Sequence, residues 1–209
     1  MSKILFSDKY LLTKAVLEGR KTMTRRIVPE SLLIDAMTYA GGDIAKRNEY
    51  IINHATFRKG EVVYIGQKYK DLYEEQVDDY SREMYEALVK QIHGVDDITQ
   101  LAAYTNKMFT NAKCLLHKIQ IGDMRVENLR DITDDDCMVE GVQMIRTNSG
   151  QKFVFGGDKA PSFIPHLAQT KGVFDTPRGA FACGIDSVSR RQVWKENPLV
   201  IAYSYKLVC

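Results

Sequence analysis

The apolar segments of this chain are all short, and this limits the folds open to it. The longest continuous runs are 199–203 and Val62–Ile65, far below the roughly 20 residues that cross a bilayer as a helix. Alternating apolar residues mark 112–121 and 124–129, and 199–208 is a strong strand candidate. Short strands with few helices between them predict an α+β fold built on a small mixed β-barrel with flanking helices, rather than a parallel α/β sheet.

Helix signals are present in the first half of the chain. After Ser7, apolar residues recur at helical spacing, and Gly19 stands where a helix commonly ends, which predicts a helix over about 8–18. The segment 72–93 is charged and repeats apolar residues three or four apart, as an amphipathic helix does. Residues 30–57 give no clear pattern.

The sequence predicts two further helices and two insertions in addition to the barrel strands. Thr133 predicts the cap of a short helix, and Thr176, which is followed by proline, predicts the start of another. We expect a single domain over residues 1–209, with a helical insertion at 70–103 and a loop or hairpin inserted at 142–173.

Composition and charge exclude several classes of protein. The chain has 209 residues, with 29 Lys and Arg against 27 Asp and Glu. These totals exclude a protein that is basic overall and wraps nucleic acid, but they allow a local basic patch. Four cysteines and four histidines are scattered without metal-ligand spacing, so we expect no metal and no cofactor. The N-terminal residues lack the apolar core of a secretory signal, which predicts a cytoplasmic protein without a membrane partner.

The most unusual feature is a basic run that follows the first predicted helix. Residues 20–26 hold four cationic side chains and two hydroxyls. One interpretation is solvated charge beside a strand. The other is an anion-binding surface for the phosphates of a nucleotide or RNA, gripped by the planar guanidinium groups of Arg20, Arg25 and Arg26.

The same run contains a candidate nucleophile. The hydroxyl of Thr24 can attack only if a base takes its proton, and the amine of Lys21 or a carboxylate can do so. Glu140 lies near the negative end of its short predicted helix, a position that favours a proton-handling role; the alternative is a surface carboxylate beside Gly141. A regular strand over 20–26 would point Lys21 and Thr24 to opposite faces, so their cooperation requires a turn between them.

Several stretches of the sequence resemble one protein family. Residues 19–26, GRKTMTRR, are similar to the GRKTxTRR signature of the ASCH superfamily, relatives of the PUA-like RNA-binding barrels. Bacterial and prophage members show further similar stretches in the same order, here at 59–64, at 125–133 with 140–141, and at Trp194 with 197–198 and 203–207.

The resemblance implies a small β-barrel with a cleft floored by the GRKT segment. In the small members that hydrolyse N4-acetylcytidine, a Lys and a Thr of the signature act with a later Glu, which correspond to Lys21, Thr24 and Glu140. The Thr then attacks the acetyl amide while the Lys and the Glu handle protons. Larger members carry an Arg-Glu pair after the barrel strand, where this chain has Gln67 and Lys68, so that Lys68 adds a cation to the expected phosphate-binding set.

Two functional hypotheses follow, and the sequence leaves both open. In the first, the chain binds a nucleoside and hydrolyses the amide of an N4-acylated cytidine through Lys21, Thr24 and Glu140. In the second, it is a non-catalytic RNA-binding module that holds phosphates with its basic segment. Both require the basic segment and Glu140 to meet.

Overall fold

The chain folds as an α+β protein around a mixed β-sheet, as predicted. The computed structural model describes residues 1–157 and 172–208. Two predicted strands, one after the turn near residue 60 and one over the last residues described, are present. The strands are β1 (Lys3–Ile4), β2 (Met23–Ile27), β3 (Val62–Ile65), β4 (Lys118–Asn128), β5 (Val142–Thr147), β6 (Gly150–Phe155) and β7 (Leu199–Val208).

Helices occupy much of the chain between these strands. In the described residues, none is long and apolar enough to cross a membrane. Five short 3-10 turns accompany them, of which Asp8–Tyr10 precedes the first α-helix. The α-helices are α1 (Leu12–Leu17), α2 (Glu30–Ala40), α3 (Ile44–Asn53), α4 (Tyr69–Glu74), α5 (Asp79–His93), α6 (Ala102–Thr105), α7 (Asp134–Val139), α8 (Pro177–Ser189) and α9 (Val193–Glu196).

The chain divides into two compact units. The first comprises Met1–Phe6, Val62–Gln120 and the end of the chain from Leu207. In it β1 pairs parallel with β3, and β3 pairs antiparallel with the beginning of β4, so that Val62 lies opposite Gln120. Helices α4, α5 and α6 enclose its apolar core, which is made of Tyr69, Leu72, Tyr85, Val89, Ile98, Ala103, Cys114 and Leu115.

The second unit comprises Ser7–Glu61 and Ile121–Lys206. In it β2 pairs antiparallel with β7, with Thr24 opposite Tyr203, and β7 lies next to β4. Strands β5 and β6 form a separate antiparallel hairpin against which α8 packs. The buried core below these elements consists of Leu129, Ile132, Cys137, Val142, Ala180, Phe181, Val193 and Val200.

Strand pairing in the described residues does not close into a barrel. The pairs run β1-β3-β4 in the first unit and β4-β7-β2 in the second, while β5 and β6 pair only with each other. Residues 70–103 hold most of α4, all of α5 and the beginning of α6, and 142–155 hold the β5–β6 hairpin, whereas residues 158–171 of the expected insertion lie outside the described residues. That these segments are insertions into a single domain stays a prediction.

Candidate active site

The segment after α1 turns back before it becomes a strand. The amides of Arg20 and Lys21 both donate to the carbonyl of Ala15, at 2.8 and 3.0 Å, and the amide of Thr22 donates to the carbonyl of Val139 at 3.0 Å. Strand β2 therefore begins two residues after Lys21. The basic run is not a regular strand over 20–26, so strand alternation does not fix the direction of Lys21.

The end of α7 brings Glu140 to this turn. The helix starts at Thr133, whose hydroxyl accepts a hydrogen bond from the amide of Asp136 at 3.1 Å, as the predicted cap requires. Glu140 is its C-terminal capping residue, and Gly141 follows with φ +108°, a conformation that favours glycine. A Cβ at Gly141 would lie 3.0 Å from the Leu12 side chain, so the chain must pass close to α1 here.

Lys21 and Glu140 form a buried ion pair. The Nζ of Lys21 donates to Oε2 of Glu140 at 2.5 Å, to the Glu140 carbonyl at 2.8 Å and to the Met23 carbonyl at 2.7 Å. The two residues are only 3% and 4% exposed. Burial lowers the pKa of Lys21; the Glu140 carboxylate acts in the opposite direction without restoring the usual value, and the charges of Arg26 and Arg25 add to the lowering. An ammonium that gives up its proton more readily than usual, held against a carboxylate, has the chemistry of a proton-handling pair.

Arg25 is saturated by three carboxylates. Its Nε donates to Glu127 at 2.7 Å, its Nη1 to Oε1 of Glu140 at 3.1 Å, and its Nη2 to Asp136 at 2.6 Å. Only 1% of its side chain is exposed. Burial by itself lowers the pKa of this guanidinium, but Glu140 and Glu127 outweigh it and the pKa is raised. Arg25 thus presents no free donor face to a phosphate from solvent.

A third cation completes the arrangement from the solvent side. Nε of Arg125 donates to Glu127 at 2.7 Å, and its Nη2 pairs with Asp136; 46% of this side chain is exposed. We call the six groups the ion cluster: Lys21, Arg25, Arg125, Glu127, Asp136 and Glu140. Three cations face three carboxylates, so the formal charges of the ion cluster cancel.

Thr24 lies beside the ion cluster without bonding to it. It is a buried residue of β2, 5% exposed, and successive residues of a strand point to opposite faces. Thr24 therefore shares a face of β2 with Arg26 and not with Arg25. Among the described residues, the structure gives the Thr24 hydroxyl no hydrogen bond to the Lys21 amine or the Glu140 carboxylate.

Of the remaining predicted phosphate ligands, Arg20 and Lys68 pair with other carboxylates, whereas Arg26 is close enough to Lys21 and Glu140 to interact with both electrostatically. Arg20 forms an ion pair with Glu18 at 2.7 Å and contacts the Gly157 carbonyl at 3.4 Å. Burial lowers the pKa of Arg26, against the influence of Glu140. Lys68 lies in the first unit, where its ammonium is 3.6 Å from Asp71. Of the predicted residues, the structure brings Lys21, Arg25 and Glu140 into contact.

Sequence reasoning missed the other members of the ion cluster. Arg125 and Glu127 are two apart on β4 and so share a strand face. Asp136 is four residues before Glu140, which places both carboxylates on one side of α7. These spacings were visible in the sequence, but they identify partners of Arg25 only once β4 and α7 are known to flank β2.

No metal centre is found in the part of the chain that the structure describes. Residues 1–157 and 172–208 contain no group of three His, Cys, Asp or Glu side chains that could hold an ion. The three carboxylates of the ion cluster are instead each paired with Lys or Arg.

Comparisons with known proteins give no relative from which a role could be transferred. Neither the protein-family models, nor the curated proteins, nor the solved structures contain a match to this chain.

Proposed function

We propose that this chain is an ASCH-type amidohydrolase that removes the acyl group from the exocyclic amine of an N4-acylated cytidine. The single observation that supports this most strongly is the buried 2.5 Å contact between Lys21 and Glu140, which are 119 positions apart in the sequence. Stability alone does not account for such a buried ion pair, because replacing such pairs by apolar residues is often neutral or stabilising. We therefore attribute the Lys21–Glu140 pair to the reaction.

In the proposed reaction, Thr24 is the nucleophile. Glu140 accepts a proton from the Lys21 ammonium, and the neutral amine then takes the proton of the Thr24 hydroxyl as the hydroxyl oxygen bonds to the acyl carbon. The bond between that carbon and the cytosine nitrogen breaks, and the nitrogen leaves with a proton returned by Lys21. Water then hydrolyses the acyl ester of Thr24, which releases the carboxylic acid and restores the hydroxyl, and Glu140 returns its proton to the Lys21 amine.

This reaction requires the Thr24 hydroxyl to come within hydrogen-bond reach of the Lys21 amine, roughly 3 Å, when substrate is bound. Catalytic hydrogen bonds often tighten only in the complex with substrate. Lys21 lies in the irregular stretch before β2 and Thr24 is the second residue of β2, so the separation of the two groups depends on how this stretch and the strand are placed when substrate is bound.

The ion cluster supports a catalytic role for the basic segment better than a phosphate-gripping one. The guanidinium of Arg25 donates to the carboxylates of Glu127, Asp136 and Glu140. Arg20 is paired with Glu18. A segment in which three of the four cations, Arg20, Lys21 and Arg25, are already paired with carboxylates adds little to the binding of an RNA backbone, which depends on uncompensated positive charge.

Other features belong to the same proposal. We propose a nucleoside as the partner, the cytoplasm as the compartment, and a PUA-like origin for the mixed sheet in which β2, β4 and β7 carry the site. None of these steps needs a cofactor.

The test is hydrolysis of N4-acetylcytidine, followed by separating cytidine from substrate. We expect cytidine and acetate in equal amounts, and a loss of at least about 100-fold in kcat in Thr24→Val, because a missing nucleophile cannot be replaced by binding alone. Thr22→Val is the matched control: Thr22 lies two residues earlier and its bonds run through its backbone. No cytidine from the unaltered chain, or equal rates in both variants, would overturn the proposal, and salt-sensitive RNA binding in its place would favour the binding module.

A further inference from the structure

A cleft in the second unit uses none of the residues of the ion cluster. Its volume is about 440 Å³, within the roughly 300–1,000 Å³ of small-molecule sites. It lies between the last turn of α3, the turn that precedes β3, and the middle of β4. Its lining residues are Ile52, Asn53, Arg58, Lys59, Asp123 and Met124.

Residues next to the lining residues of this cleft are packed into the fold. Ile51, the neighbour of Ile52, is fully buried, and Phe57 before Arg58 is 7% exposed and packs edge-on against Tyr203 with ring centroids 5.7 Å apart. Gly60 donates to the carbonyl of Ile121 on β4 at 2.8 Å. These contacts hold the backbone beside the lining residues in place, which reduces the ordering cost of binding.

One positive charge in the cleft is left uncompensated. Lys59 and Asp123 pair across the rim at 2.6 Å and neutralise each other. The Arg58 guanidinium, in contrast, has no ion pair or hydrogen bond among the residues that the structure describes; only its backbone amide is bonded, to Glu61 at 2.9 Å. A free guanidinium is a fork of donors that fits the oxygens of a phosphate two at a time.

The other lining groups fit the body of a ligand. Ile52 and Met124 offer apolar and polarisable surface to a flat or apolar group. The side-chain amide of Asn53 can both donate to and accept from a polar edge. Together with Arg58, these groups fit a small ligand that carries a phosphate monoester on a flat or apolar group.

We propose that this cleft is a binding site for a mononucleotide, with Arg58 on the phosphate and Ile52 and Met124 against the base. The site is separate from the hydrolytic reaction proposed above and does not depend on it, because the two share no residue.

The experiment is calorimetric titration of the full chain with cytidine 5′-monophosphate, cytidine and inorganic phosphate. We expect saturable binding of the nucleotide, with cytidine and phosphate each weaker by about tenfold or more, because each lacks one half of the contacts. Arg58→Gln is expected to weaken the nucleotide by about tenfold or more, the loss typical of one hydrogen bond to a charged group. Arg58 is exposed, so this variant keeps its fold.

Arg47→Gln is the matched control, since it also removes one guanidinium from the α3 region but its own partner is the Asn48 side chain. It should bind the nucleotide as the unaltered chain does. Absence of saturation at about 10 mM nucleotide, equally tight binding of inorganic phosphate, or an equal loss in Arg47→Gln would each overturn the proposal. So would loss of nucleotide binding in Thr24→Val, which would place the ligand at the ion cluster.

Discussion

Arg25 and Lys21 divide the Glu140 carboxylate between them: Nη1 of Arg25 holds Oε1 at 3.1 Å, and Nζ of Lys21 holds Oε2 at 2.5 Å. Both oxygens are therefore fixed in direction by cations that come from one short segment. The carboxylate cannot rotate without breaking a buried contact, which keeps Oε2 on the Lys21 amine.

The first prediction concerns the loss of that carboxylate's charge. Glu140→Gln leaves Lys21 and Arg25 buried with one counter-charge fewer, so we expect the free energy of unfolding to fall by about 3–5 kcal/mol, measured by urea denaturation. Glu18→Gln, which removes a partly exposed carboxylate from Arg20, should cost at most about 1 kcal/mol. Equal effects of the two variants would show that the Lys21–Glu140 pair is not buried in solution.

The second prediction separates the geometry of Arg25 from its charge. A lysine keeps the charge but cannot reach Glu127, Asp136 and Glu140 at once, so Arg25→Lys should lower the free energy of unfolding by about 2–4 kcal/mol. The matched variant is Arg125→Lys, at a half-exposed position of the same ion cluster, where the loss should stay below about 1 kcal/mol. If Arg125→Lys is the more damaging of the two, the ion cluster is not organised around Arg25.

The third prediction is a dependence of stability on alkaline pH. Burial, with Glu140 acting in the same direction, holds the pKa of Tyr205 well above its usual value. The unfolded chain loses this proton near pH 10 while the folded chain keeps it. Stability from this group is therefore full below about pH 10 and falls above it, by up to about 1.4 kcal/mol per pH unit. Urea unfolding between pH 9 and 11 should show a shallower fall in Tyr205→Phe; identical slopes would contradict the burial of this hydroxyl.

The fourth prediction concerns the packing of α8 on β6. A Cβ at Gly184 would lie 2.1 Å from Cγ of Phe155, whose ring is held edge-on between Tyr10 and Phe181. Gly184→Ala should therefore destabilise the protein by about 1–3 kcal/mol, although alanine is the better helix former by about 1 kcal/mol. Cys183→Ala, at the exposed neighbouring position, should change the melting temperature little. A stabilised Gly184→Ala would mean that α8 lies farther from β6.

The sequence predicts helices and strands correctly where an apolar pattern is bounded by a turn or cap residue. The strand after residue 60, the closing strand and the helix capped by Thr133 follow from apolar runs bounded by turn or cap residues. The prediction of a single helix over 72–93 is wrong. This segment contains the end of α4 and all of α5, separated by residues 75–78. The break is not visible in the sequence because apolar residues continue three or four apart across it. The first helix is divided at Leu11, which takes φ 52°, a conformation that spacing does not reveal in a leucine.

Residues 30–57 show why some helices leave no trace in a sequence. They form α2 and α3, joined at Gly41 and Gly42, but α2 buries only Ala36 and Ala40 along its length. Two small residues make no apolar stripe, so the periodicity that marks a helix is missing.

The candidate site was predictable only in part, since Lys21, Arg25 and Glu140 were predicted but Arg125, Glu127 and Asp136 were not. Lys21 and Glu140 follow from the chemistry of the basic run and from the family resemblance. The number of carboxylates around Arg25 depends on how α7 and β4 lie against β2, which is a tertiary property. Sequence therefore overstated the positive charge that this segment offers to a phosphate.

The most direct test of the central claim combines stability with turnover in the double variant Lys21→Met, Glu140→Leu. Removing both charges keeps the ion cluster neutral and leaves Arg25 paired with Glu127 and Asp136, so this variant should retain more of its stability in urea than Glu140→Gln does. The account predicts that the unaltered chain converts N4-acetylcytidine to cytidine and that the folded double variant does not. Turnover that persists in the double variant, or no turnover by the unaltered chain, would contradict it.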